Sequence, residues 1–254
     1  MGACVDVLTP VHSSYAPFLA AAWHSLLSQT HPGWSWLVQI DGEPASVTAA
    51  LESCGAAADP RVKIAAHGTK EGPAVTRNIG LGRATAPFVQ NMDADDALEP
   101  GALTALAAAL THHRRAGYAV GRARDLMPDG RLVDPPLPLP PGVLPRGAVL
   151  SAWQAPGEAP RLPVHPAGIM WRRPLLLTLG GWSALQGMED TGLLLAASAL
   201  TEGVLIEQPT LRYRRHSGQH SRHAAAFAGR GMQIAMVRER AALLAAAPAW
   251  SAES

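Results

Sequence analysis

Cysteine is nearly absent from this 254-residue sequence: only Cys4 and Cys54 occur, far apart. They have no metal-ligand spacing and form no redox pair, so they read as buried or incidental thiols in a reducing compartment. Net charge is also lacking. A formal value of +1 gives no global field to attract nucleic acid or a membrane surface, so neither partner is expected. Long apolar runs are missing as well. No stretch of about 18 residues is free of charge or proline, which excludes stable membrane insertion through a spanning helix. The opening "MGACVDVLTP" has no basic region ahead of an apolar run, so no signal peptide is expected and the chain reads as soluble and cytoplasmic. Lysine is scarce and nearly all positive charge is arginine. Its local clusters are "HHRR" at 112–115 and "RYRRH" at 212–216.

What is present is alternation. At 48% hydrophobic, the chain can bury the core of one large α/β domain or two small ones. "VDVLT" (5–9) reads as a strand ended by Pro10. The helix that follows carries Phe18, Leu19, Ala22, Trp23, Leu26 and Leu27 at helical spacing, with Ser13 or Ser14 as its cap. Strands follow at 35–40, 61–66 and 87–92, separated by helices over about 44–54 and from Pro73. Pro100 is expected to open the next helix, "GALTALAAALTHHRR". This order implies an α/β fold with a mostly parallel central sheet flanked by helices. Ligands on such sheets bind beyond the strands' carboxyl ends, which gathers Thr9–His12, Asp41, the 67–72 loop and Asp93–Asp96 on one rim.

From 125 to 163 the pattern dissolves into Pro and Gly. It reads as an ordered or semi-ordered insertion within one domain, because recognisable segments resume at once. A strand at 203–208 and a terminal helix over about 222–247 complete the chain. That helix places Ile234, Val237, Ala241 and Leu244 on one face, toward the core or a partner, and leaves the oligomeric state open.

The densest chemistry lies in "QNMDADDALEP" (90–100), with four carboxylates in seven positions after a strand. Like charges so close raise each other's pKa unless something positive sits among them, and a divalent cation is the obvious candidate. Asp93-Ala94-Asp95 offers two hard oxygen ligands suited to Mg2+ or Mn2+. The motif also fits a solvated turn. A phosphatase using an aspartyl nucleophile wants its Asp-x-Asp after the first strand, followed by Thr or Val, and here it follows the fourth. A nucleotidyltransferase wants a Gly-rich loop after the first strand, and "TPVHSSY" is none.

Six segments in order resemble the inverting family 2 glycosyltransferases of the GT-A (Rossmann-like) fold: "TPVHSSY" (9–15), "SQTHPGWSWLVQIDGEP" (28–44), "EGPAVTRNIGLGRATAPFVQNMDADD" (71–96), "HPAGIMWRR" (165–173), "GGWSALQGMED" (180–190) and "RYRRHSGQHS" (212–221). The resemblance implies a GT-A domain over 1–221. Within it, 1–115 would form the nucleotide-sugar half and 116–221 the acceptor half, with 222–254 a C-terminal helical extension and tail. It implies a Mn2+- or Mg2+-dependent enzyme that moves a sugar from a nucleoside diphosphate-sugar, UDP-sugar favoured, to a hydroxyl of a small-molecule or glycan acceptor. Asp93 and Asp95 would be the Asp-x-Asp pair, with Ala94 between them, and His216 a further metal or diphosphate contact. Thr9, Pro10 and His12 would line the nucleobase pocket, Asp41 would accept a base N–H, and Arg77 would face the base or diphosphate. Asp190 would be the general base, held ionised by helix N–H groups, with Glu189 beside it at the acceptor. The chain departs from the family pattern where the usual Asn of the first motif gives way to "HSSY", and where a second acid beside Asp41 is replaced by Gln or Ile. Duller roles stand beside these: Glu189 and Asp190 as helix-opening acids, Arg77 paired with Glu71, His12 and Asp41 as turn residues, His216 at the surface, Trp182 as packing. A non-catalytic nucleotide-binding module on the same fold is the alternative to an enzyme.

Overall fold

The computed structural model describes residues 4–153, 162–219 and 230–251. Strand β1 (Val5–His12) leads through a 3-10 turn (Ser13–Phe18) into α1 (Leu19–Leu27), then β2 (Trp34–Asp41), α2 (Ala45–Ser53), β3 (Val62–Ala66), α3 (Pro73–Arg83) and β4 (Phe88–Asn91). After the acidic turn come β5 (Ala97–Leu98), α4 (Ala102–His112), β6 (Ala116–Leu126), β7 (Leu132–Val133), β8 (Gly142–Leu144) and α5 (Ala148–Trp153). Then follow β9 (Met170–Arg172), α6 (Arg173–Thr178), α7 (Glu189–Leu200), β10 (Glu202–Arg214) and α8 (Arg230–Ala246).

One sheet runs through all of it, in the order β3-β2-β1-β4-β9-β6-β10-β5, with β7 on β6 and β8 on β10. Strands β3, β2, β1, β4, β6 and β10 point the same way, and the short β9 enters antiparallel between β4 and β6. The Pro-rich insertion therefore belongs to the same sheet, because β8 pairs with β10. Side-chain alternation splits the core into two layers. Val5, Val7, Trp36 and Val38 pack under α1, α2 and α4, where Trp23 stacks on Trp36 with ring centroids 5.9 Å apart. Leu8, Leu37, Val89 and Trp171 face α3, α6 and α7. Val237 and Ala241 of α8 are buried, with Ile234 and Leu244 packed beside that second layer, so the apolar face of the terminal helix turns inward. Residues 222–229, expected as its first turns, lie outside the described residues. Among the described residues no helix is long and apolar enough to cross a membrane.

Several boundaries differ from expectation. β1 continues through Pro10 to His12. Leu8 bonds toward β4, its carbonyl accepting from Met92 N–H, so by alternation Pro10 faces the same side, where that ladder has ended and a missing N–H forfeits nothing. The α-helix starts at Leu19 because Pro17 interrupts the turn before it, and His12 caps that turn in place of Ser13 or Ser14. Gly101, at φ +78°, caps α4, so Pro100 falls outside the helix it was expected to open. β10 reaches Arg214 through bulges around Pro209, which puts the 212–216 basic run at a strand end.

Candidate active site

A cleft of about 950 Å³ opens at the carboxyl ends of the parallel strands. Pro10 and His12 of β1, Asp41, the 70–72 loop, Arg77, Asp93, Ala94 and Asp95 line one part of it. His165, the 184–187 loop, Glu189, Asp190 and Tyr213 line another. One expected residue is placed elsewhere. Thr9 is fully buried, its hydroxyl accepting from Trp36 Nε1 at 2.9 Å, so it satisfies an indole instead of lining the nucleobase region. His216 is brought against Asp95, a lining residue, with its ring 4.7 Å from that of Phe18.

The acidic turn is less crowded than its spelling, because its four carboxylates diverge. Asp93 Oδ1 accepts from Arg77 Nη2 at 2.7 Å and Asp95 Oδ2 meets His216 Nε2 at 2.9 Å. Asp96 accepts from Arg214 N at 2.9 Å, and Glu99 takes Arg212 at 2.7 Å. Protein cations and backbone thus supply much of the positive charge assigned above to an ion. Some excess remains: burial and the Asp93 charge push Asp95 up despite His216, and burial with Asp95 and Asp93 pushes Asp96 well up.

Arg77, buried on α3, is the centre of the charge arrangement. Besides Asp93, its Nη1 lies 3.4 Å from Asp190 Oδ2 and 3.8 Å from Glu189 Oε1. Burial opposes its charge, but Asp190, Asp93 and Glu189 together raise its pKa. Glu71 is not its partner.

Asp190 opens α7 with Glu189. Its Oδ1 accepts from Trp182 Nε1 at 2.8 Å, and a fifth of its side chain remains exposed. The expectation that helix N–H groups hold it firmly ionised is corrected: burial pushes its pKa up to about 7 against Arg77, with Glu189 and Asp93 adding to the rise. Burial likewise raises Glu189, whose Oε2 has no hydrogen bond among the described residues.

Asp41 is a loop anchor. Its carboxylate accepts from Glu71 N at 2.7 Å and Gly72 N at 3.1 Å and lies 3.4 Å from His67 Nε2, so the capacity expected for a base N–H is largely committed. His12 Nδ1 accepts from Ser14 N at 3.3 Å while its ring lines the cleft. His165 is pushed down to about 4, chiefly by burial, and stands 4.1 Å from Tyr213 between ring centroids.

A divalent cation fits this donor set in one way. No three His, Cys, Asp or Glu side chains gather to hold an ion by themselves among the described residues. Asp95 and His216 already converge, and a hard ion commonly completes a one- or two-carboxylate site with substrate phosphate oxygens. The surplus negative charge at Asp95 and Asp96 is what such an ion would relieve.

The model of the family described as Glycosyl transferase family 2 matches residues 6–147. The chain belongs to glycosyl transferase family 2. It is similar to the O-antigen biosynthesis protein RfbC of Myxococcus xanthus, 29% identical over 105 residues, which is 41% of this chain and 8% of that protein's length. Among solved structures, S. aureus TarS 1-349 in complex with UDP-GlcNAc superimposes with a TM-score of 0.72 at 16% identity, over 96% of this chain and 70% of that one. The structure of TarS 1-349 not described as a complex gives 0.68 at 16%, over 83% and 60%. The architecture is the GT-A fold.

Sequence reasoning missed Asn78, the Trp182–Asp190 bond and the His67–Asp41 contact. In the "RN" pair of α3, the asparagine beside Arg77 is the available signal.

Proposed function

We propose that the protein transfers a sugar from a nucleoside diphosphate-sugar, a UDP-sugar by preference, to an acceptor hydroxyl on a small molecule or glycan, with inversion. The observation that carries this reading is Asp190, a partly exposed carboxylate with a pKa near 7 on a cleft whose other wall holds the acidic turn. A base tuned to the working pH suits removal of a hydroxyl proton. The donor class is supported by the likeness to TarS, solved with UDP-GlcNAc and with UDP.

In this reading Asp190 takes the acceptor proton as the hydroxyl oxygen attacks the anomeric carbon opposite the diphosphate. The anomeric C–O bond breaks in the same displacement, so the centre inverts. Arg77 holds Asp93, Asp190 and Glu189 about one cation, which fixes the base relative to the acidic turn. Asp95 and His216, with Asp93 beside them, would hold Mn2+ or Mg2+, which when bound supplies Lewis-acid stabilisation of the leaving diphosphate.

Asp190→Asn tests the reading. An enzyme retains UDP affinity, read by calorimetry, and loses about 10²–10⁴-fold in UDP release from donor. A binding module would take up nucleotide and consume no donor in either form, and that result would end the proposal.

A further inference from the structure

Helix α3 carries a second polar side chain beside Arg77. Asn78 grips the backbone of Trp182 at both ends: its Nδ2 donates to the Trp182 carbonyl at 2.8 Å and its Oδ1 accepts from Trp182 N–H at 2.9 Å. Gly181, at φ +68°, makes the grip possible, because a Cβ there would collide with Asn78 Oδ1. Trp182 is 2% exposed, so the indole is fixed by packing as well as by the clamp. Its Nε1 then reaches Asp190 Oδ1 at 2.8 Å, leaving Oδ2 toward Arg77 at 3.4 Å. Both side chains that fix the carboxylate are thereby referred back to adjacent residues of one helix.

We infer that Asn78 and Trp182 are positioning residues, which hold the Asp190 carboxylate in the orientation and protonation state needed to accept a proton from the acceptor. This rests on the proposed reading of Asp190 as the base. Among the described residues, the charged groups facing Asp190 are Arg77 from α3, Asp93 from the acidic turn and Glu189 on its own helix. An indole N–H donated to a carboxylate favours the ionised form, so its removal raises the pKa.

Trp182→Phe deletes the donor and keeps most of the ring. Two measurements are made on it and on the wild type: the pH dependence of UDP release from UDP-sugar, and an NMR titration of the Asp190 carboxyl carbon assigned with Asp190→Asn. In the variant the midpoint should move up by about one pH unit from near 7. Turnover at pH 7 should fall about 5-fold, as the ionised fraction drops from about a half to about a tenth, recovering above pH 9, with the donor KM unchanged. Asn78→Ala, which loosens the clamp without touching the indole, should shift the same midpoint, and the double variant should be no worse than Trp182→Phe alone. A carboxyl midpoint equal in wild type and Trp182→Phe, or a turnover loss uniform across pH, would overturn the inference and leave Trp182 as packing. A shifted midpoint in a protein that never releases UDP would instead overturn the transferase reading while the positioning stands, so the two failures separate. Unchanged calorimetric affinity for UDP confirms that each variant is folded.

Discussion

Arg77 shows how far a side chain's partners can lie from its neighbours in sequence. Glu71, in the loop just ahead of α3, is the nearest acid in sequence, yet the guanidinium meets Asp93, Glu189 and Asp190 across the cleft. Arginine suits this place because its planar fork addresses several carboxylates at once and stays charged when buried. Removing it would leave three neighbouring acids without their shared cation, and breaking such a buried arrangement costs about 3–5 kcal/mol. Arg77→Met should therefore lower the melting temperature by roughly 6–20 °C for a chain of this size. Differential scanning calorimetry would read the loss. Part of it should be recovered as pH falls, since the raised pKa values of Glu189 and Asp190 mean these acids neutralise readily when uncompensated. A melting temperature within 2 °C of wild type at neutral pH would show that the acids are solvated individually.

Among the strands and helices, glycine sets how closely layers approach. Gly203 of β10 sits opposite Tyr118 of β6, and a Cβ at 203 would enter the buried tyrosine ring. Gly203→Ala should destabilise the fold by about 1–3 kcal/mol or more through overpacking. Gly82→Ala, on the exposed side of α3 with nothing near its Cβ, should be neutral or stabilising by up to about 1 kcal/mol. Urea midpoints of the two variants should move in opposite directions, or at least differ by that margin. The same glycines explain which strands could be read in advance. β1, β2 and β4 are short, apolar-rich runs with nearly every residue buried, on both faces, and they were legible. β6 interleaves Gly117 and Gly121 with arginines, because its glycines admit Thr201 and Thr210 and its second half is only half-buried. Its pattern is therefore neither alternating nor continuous. β9 has three residues, too few for any period.

The sheet as a unit explains why one wall of the cleft was easier to foresee than the other. Strand polarity alone brings Pro10, His12, Asp41, Asp93 and Asp95 to one rim, and all line the cleft. The opposite wall depends on β9 entering antiparallel and on loops around 165 and 184–187, contacts between segments far apart in sequence with no local signature. Depth was equally invisible: Thr9 and Pro10 adjoin in sequence, but the strand turns only one of them to the cleft. A ligand lying across the cleft would touch both walls and stabilise their packing by mass action, about 2.7 kcal/mol at 100 times its dissociation constant. UDP with Mn2+ should accordingly raise the melting temperature by roughly 5–10 °C. Asp95→Ala should retain a response to UDP alone and lose the increment that Mn2+ adds, because the remaining imidazole of His216 lacks its hard oxygen companion. If Mn2+ adds nothing to the UDP response of the unaltered protein, the neighbouring cations Arg77 and Arg214 carry the diphosphate charge, and the acidic turn serves only to anchor them.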